Sequence, residues 1–131
     1  MPDVPSTSGR GRILVVDDEP HIRRVLSAIL GSQGYDVRTA RDGMEGLDEL
    51  SVESVDLVIL DLMMPGANGL EILSKIRSDP LRSDTPVIIL TAKGQDADRD
   101  AAMAGGANDF MTKPFSPKKL IARIHEIIAA L

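Results

Sequence analysis

Short apolar runs alternate along this chain with longer segments of helical periodicity. Ile13 to Val16 and Val87 to Leu90 are wholly apolar, and Val55 to Leu60 is broken only by Asp56. Runs without a polar side belong to parallel strands covered on both faces. Tyr35 to Thr39 and Ala107 to Met111 are strand candidates with polar residues mixed in. Between the strands, Ile22, Val25, Leu26, Ile29 and Leu30 follow helical spacing behind Pro20, a residue suited to a first turn. Asp42 and Glu45 have the spacing of a capping box ahead of Met44, Leu47 and Leu50. Gly46 weakens that helix by about 1 kcal/mol relative to Ala. Asn68 with Glu71 repeats the capping spacing before Leu70, Leu73 and Ile76, and Ser116-Pro117 opens a last helix carrying Leu120, Ile121, Ile124, Ile127 and Ile128. Asp96 to Ala104 is Ala-rich and has the thinnest apolar face of the set.

Five β–α units of this kind predict an α/β fold, a three-layer αβα sandwich around a five-stranded parallel sheet. The apolar first, third and fourth strands belong in the centre and the polar-spiked second and fifth at the edges, which favours the order 2-1-3-4-5. Ligands of such sheets bind beyond the carboxyl ends of the strands, where the strand order reverses. The 131 residues suffice for one hydrophobic core. With no Trp, one Tyr and two Phe, that core must be aliphatic. Residues 1–11, rich in Pro, Ser, Gly and Thr, read as a flexible leader, and residues 12–131 as the folded domain.

Charge and composition narrow the functions. A net charge of −5 gains nothing from counterion release on DNA or RNA, so direct nucleic-acid binding by this domain is not expected. The absence of cysteine removes disulfides, thiol catalysis and Cys-ligated metals. Two histidines far apart in sequence, His21 and His125, give no zinc site, and both are expected at the surface. No apolar run is long enough to span a membrane, and the first residues lack the apolar core of a signal peptide, so a cytoplasmic location and no membrane contact are expected.

The candidate chemistry stands at the strand ends. Asp17 and Asp18 follow the first strand, Asp61 the third, Thr91 the fourth and Lys113 the fifth. Adjacent strands lie about 4.8 Å apart, so three carboxylates on that rim repel one another unless a cation joins them. A hard divalent ion such as Mg²⁺ suits oxygen ligands of this kind. One carboxylate then remains to act as a nucleophile, and Asp61, at the end of a central strand before the Met64-Pro65-Gly66 turn, is the natural choice. Lys113 and Thr91 would stabilise the charge of an incoming phosphoryl group. Taken singly, each residue has a plainer role: Asp18 as a helix cap, Asp61 and Thr91 as turn residues, Lys113 as an edge charge.

The chain resembles the receiver domains of bacterial two-component systems from about Arg12 to its C-terminus. Ile13-Leu14-Val15-Val16-Asp17-Asp18-Glu19 is similar to the family's first strand and acidic pair, and Asp61-Leu62-Met63-Met64-Pro65-Gly66, followed by Asn68-Gly69, to its phosphoacceptor segment. Asn68 stands where Asp is frequent. Thr91-Ala92 resembles the switch hydroxyl and its small neighbour, and Gly106-Ala107-Asn108-Asp109-Phe110 leads to Lys113-Pro114-Phe115, which resembles the family's lysine and cis proline. The resemblance implies Asp61, Lys113 and Thr91 as catalytic residues, and Asp17, Asp18, Asp61 and Met63 at a Mg²⁺ site that Mn²⁺ could substitute. It further implies Thr91 and Phe110 as the switch pair, with Phe110 turning inward on activation, and Met63 and Lys93 as flanking residues that tune phosphoryl lifetime. Such a domain catalyses its own phosphorylation and dephosphorylation without being a conventional turnover enzyme.

The partners implied are a sensor histidine kinase or phosphotransfer protein upstream, and downstream a protein, an output domain or a phosphorylation-dependent homodimer. The alternatives are an unphosphorylated interaction module of the same fold, or a receiver fragment of a larger transcription factor or output enzyme, since no further module follows Leu131. Other chemistries fit less well. Haloacid-dehalogenase-like phosphatases separate two aspartates by one residue after the first strand, whereas Asp17 and Asp18 are adjacent. An FMN phosphate cradle wants N–H groups and hydroxyls where this chain has acids, and no GxGxxG follows a strand.

Overall fold

The computed structural model describes residues 10–64, 66–92 and 95–131, without the side chain of residue 67. Residues 1–9 of the expected leader 1–11, together with Pro65 and Lys93, lie outside the described residues. Five strands, β1 (Gly11–Val16), β2 (Tyr35–Ala40), β3 (Leu57–Leu60), β4 (Val87–Thr91) and β5 (Asp109–Thr112), form one parallel sheet. Its order is β2-β1-β3-β4-β5, so the three most apolar strands are central and the two polar-spiked ones are edges. Between them run α1 (Pro20–Ser32), α2 (Gly43–Val52), α3 (Gly69–Ser78), α4 (Asp96–Ala104) and α5 (Pro117–Ala129). No helix among the described residues is long and apolar enough to cross a membrane.

Alternation along the strands divides the interior into two aliphatic cores. Ile13, Val15, Leu57, Ile59, Ile88 and Leu90 meet Leu26 and Leu30 of α1 and Leu120, Ile124 and Ile127 of α5. On the opposite face Leu14, Val16, Val58, Leu60, Val87, Ile89 and Phe110 meet Leu50, Ile72, Leu73, Ile76 and Ala102 from α2, α3 and α4. Helix α4 contributes Ala102 as its one buried residue, as its thin apolar face implies.

Local chemistry sets the boundaries. Asp42 accepts from the Glu45 N–H at 2.8 Å, but Glu45 reaches back to the Arg41 N–H rather than closing a box on Asp42. Asn68 caps α3 through the Leu70 N–H at 2.8 Å. Strand β3 starts two residues later than the apolar run, because the Asp56 carboxylate accepts from the Arg12 N–H at 2.8 Å in place of a ladder carbonyl. Likewise β5 starts at Asp109, since the Asn108 side chain accepts from the Val87 N–H at 2.9 Å. At the other end of the chain, Gly11 opens β1 with a φ of 135°.

Candidate functional site

Register brings the acidic residues together before any side chain is considered. Val16 pairs with Leu60 across β1 and β3, so the next residues, Asp17 and Asp61, leave adjacent strand ends side by side. The ladder is carried one step further by the Asp61 N–H, which donates to the Val16 carbonyl at 3.0 Å, and by the Asp17 N–H, which donates to Ala40 at 3.0 Å. On the other side Thr91 pairs with Thr112, and the Lys113 N–H donates to the Thr91 carbonyl at 2.8 Å. The Lys113–Pro114 bond is cis. Of the five predicted strand-end groups, Asp17, Asp61, Thr91 and Lys113 therefore share one rim, and Asp17, Asp61 and Thr91 are buried there.

The Lys113 ammonium lies at the centre of this rim. It is 2.8 Å from Asp17 Oδ2, 2.8 Å from Glu19 Oε1 and 3.2 Å from Asp61 Oδ2. Carboxylate oxygens of Asp17, Glu19 and Asp61 lie within 4.8 Å of one another, the one such group among the described residues. Asp18, half-buried, is not a member of it; Glu19, to which the sequence reading gave no role, is. The signal for Glu19 was its place directly after the acidic pair, but its contact with Lys113 spans 94 positions and leaves no local pattern.

Burial pushes the Asp17 carboxyl up, against the Lys113 hydrogen bond and the Glu19 N–H, which donates to Asp17 Oδ1 at 2.9 Å. Burial also works against the Lys113 charge, yet its bonds to Asp17 and Glu19 and the charges of Asp17 and Asp61 prevail and raise its pKa. The bond to Lys113 holds the Glu19 carboxyl below the ordinary glutamate range. The Lys113 and Glu19 shifts are the response expected of a cation among carboxylates, and the Asp17 shift is that of a buried acid. The oxygen-only donor set also fits a hard divalent ion. Met63 donates its N–H to Asp61 Oδ1 at 3.0 Å while its side chain is half exposed; a thioether is a poor partner for such an ion, so an oxygen from Met63 would have to be its carbonyl.

A short antiparallel ladder, Met63–Met64 with Ala67–Asn68, folds the chain back beyond Asp61 through Gly66, whose φ is 77°. Phe110 pairs in register with Ile89, two residues before Thr91, so alternation puts Phe110 and Thr91 on the same sheet face. The Phe110 ring is buried at 4 % exposure, with the Arg99 guanidinium 5.8 Å from its centroid, so its observed position is inward. His21 is exposed. His125 differs from expectation: it is half-buried with its ring 5.7 Å from that of Tyr35, because its place on α5 faces the first residue of β2.

Known proteins resemble this chain over most of its length. The family model described as the response regulator receiver domain matches residues 13–125. The transcriptional regulatory protein CpxR homolog of Haemophilus influenzae is 45 % identical over 89 % of this chain and 50 % of its own length. ArlR, a response regulator of Staphylococcus aureus, is 44 % identical over 89 % of this chain and 52 % of its own length. The chain thus spans about half the length of these curated relatives. Among solved structures, the chemotaxis protein CheY4 of Vibrio cholerae superimposes with a TM-score of 0.86 at 31 % identity, covering 91 % of this chain and 99 % of that one. With the parallel sheet, its strand order and the acidic rim, these matches show that the chain belongs to the response regulator receiver domain family of two-component systems.

Proposed function

We propose that Asp61 accepts the phosphoryl group. The observation that carries this reading is a buried Asp61 carboxylate, 3 % exposed, at the end of a central strand and bonded by the Lys113 ammonium at 3.2 Å. A carboxylate oxygen of Asp61 attacks phosphorus of a phosphohistidine in a sensor kinase or phosphotransfer protein. An O–P bond forms, the P–N bond breaks, and the imidazole leaves with its electron pair. The Met63 N–H holds one Asp61 oxygen in place, and Lys113 balances the negative charge gathering on the phosphoryl oxygens.

Mg²⁺, or Mn²⁺ in its stead, would be held by Asp17, Asp18, Asp61 and the carbonyl of Met63, and would supply charge neutralisation at the transferring group. Thr91 and Phe110, on one sheet face, form the route by which the new phosphoryl group biases α4, β5 and α5 toward a partner-binding or dimerising shape. The relatives' roles in transcriptional regulation favour an output of that kind, reached through a protein partner or a joined output domain.

The test is intact-mass measurement after incubation with acetyl phosphate and Mg²⁺. The chain should gain one phosphoryl group and Asp61→Asn should gain none, while its far-UV spectrum and melting stay close to wild type. Equal labelling of Asp61→Asn would place the acceptor elsewhere. A wild-type chain that gains nothing would be an interaction module that works without phosphorylation.

A further inference from the structure

We propose that Glu19 is a positioning residue for this reaction: its carboxylate parks the Lys113 ammonium away from the incoming phosphoryl group and must let go before transfer. The inference rests on Asp61 being the acceptor. An ammonium has three N–H donors, and that of Lys113 donates to Glu19 at 2.8 Å and to Asp61 at 3.2 Å and is ion-paired with Asp17 at 2.8 Å, so three carboxylates crowd it. A phosphoryl oxygen that recruits Lys113 therefore has to displace one of them.

Burial decides which one yields. Asp17 and Asp61 have side chains 3 % exposed, and losing the cation would leave a buried charge uncompensated. The Glu19 side chain is 54 % exposed and can exchange its bond for water. Among the described residues no other hydrogen bond or ion pair holds it, and only the charge of His21 also bears on it. Glu19 is the N-cap of α1 but makes no side-chain capping bond. Its backbone carries the structural duty instead: the N–H donates to Asp17 Oδ1 at 2.9 Å, and the carbonyl accepts from the Arg23 N–H at 3.1 Å. The side chain can therefore swing out without unwinding the helix.

The experiment measures the rate of mass gain against acetyl phosphate concentration, with Mg²⁺, for the intact chain. Glu19→Gln removes the charge, and Glu19→Asp keeps it but is one methylene too short to hold Lys113. Both should raise the maximal rate roughly two- to five-fold, the range of an exposed ion pair, and leave half-saturation unchanged. A Glu19→Gln rate equal to or below wild type overturns the proposal. So does a Glu19→Asp chain that matches wild type while Glu19→Gln is faster, since charge alone would then explain the gain. A second, metal-free arm uses denaturant melts in EDTA. Glu19→Gln should lower the midpoint in the wild-type background and not in a Lys113→Met background, and equal effects in both overturn the proposal as well. If the wild-type chain gains no phosphoryl group, the acceptor reading has failed by itself, and the melts still decide whether Glu19 holds Lys113.

Discussion

Gly69, the first residue of α3, shows how closely the acceptor is framed. A Cβ on it would lie 2.7 Å from the Leu62 Cα and nearer still to the Asp61 carbonyl oxygen, both of them backbone. Neither can give way without moving the strand end that carries Asp61. Gly69→Ala should therefore destabilise the domain by about 1–3 kcal/mol, the usual cost of forcing extra volume into a filled site. It should also slow phosphoryl uptake, because Asp61 shifts with its carbonyl. Urea melts and labelling rates check both effects, and a Gly69→Ala chain of wild-type stability would show that the turn relaxes freely. Gly46 has a related reason: its Cβ would meet Val16 Cγ2 at 2.9 Å, so α2 lies against the end of β1. The sequence displays Gly46 only as a weak helix residue, because close approach between distant segments has no local signature. Asp17, Asp61 and Thr91 were legible since each directly ends an apolar run, and Lys113 since it follows the last strand candidate. Glu19 was not, because a flexible side chain decides its partner.

At the scale of elements, Arg77 ties three of them together. From α3 its guanidinium donates to the Gly106 carbonyl at 2.8 Å, to Asn108 Oδ1 at 3.0 Å, to Thr85 at 2.6 Å and to Ser83 at 3.2 Å. It thereby fixes the approach to β4 and the turn between α4 and β5. The turn fits only glycine at position 106, where φ is 102° and a Cβ would meet Arg77 Nε at 2.9 Å. Removing the donors strands several carbonyls, so Arg77→Leu should cost about 2–3 kcal/mol, the scale of hydrogen bonds made by a charged group. Amide hydrogen exchange should quicken over residues 105–109 and remain slow in β1. Unchanged exchange there would mean that water replaces the guanidinium without loss. Strand and helix existence was readable from periodicity, but side chains that stand in for backbone partners, Asp56 and Asn108, moved the boundaries, and Arg77 fixed a turn. They do so through contacts 21 to 44 positions apart, beyond any local window.

At the scale of the whole molecule, a chain of net charge −5 gathers three carboxylates on one rim and balances them with one lysine. Asp17 records the balance: burial raises its pKa despite the Lys113 bond. Between the ordinary aspartate value of 3.8 and that raised value, the folded state holds more protons than the unfolded chain. Stability from this group then falls as pH rises, and above the raised value the full penalty applies. Asp17→Asn removes the charge while Oδ1 can still accept from the Glu19 N–H. In EDTA at neutral pH the variant should be more stable than wild type, and the advantage should vanish below pH 3.8, where Asp17 is protonated in both states. Metal should reverse the ranking. An ion that binds the folded chain at ten times its dissociation constant stabilises it by about 1.4 kcal/mol, and Asp17→Asn should gain much less. Denaturant melts at two pH values, with EDTA and with Mg²⁺, decide the matter. If Asp17→Asn is the less stable chain in EDTA at neutral pH, the ion pair with Lys113 outweighs the burial of Asp17, and the rim is balanced without any metal.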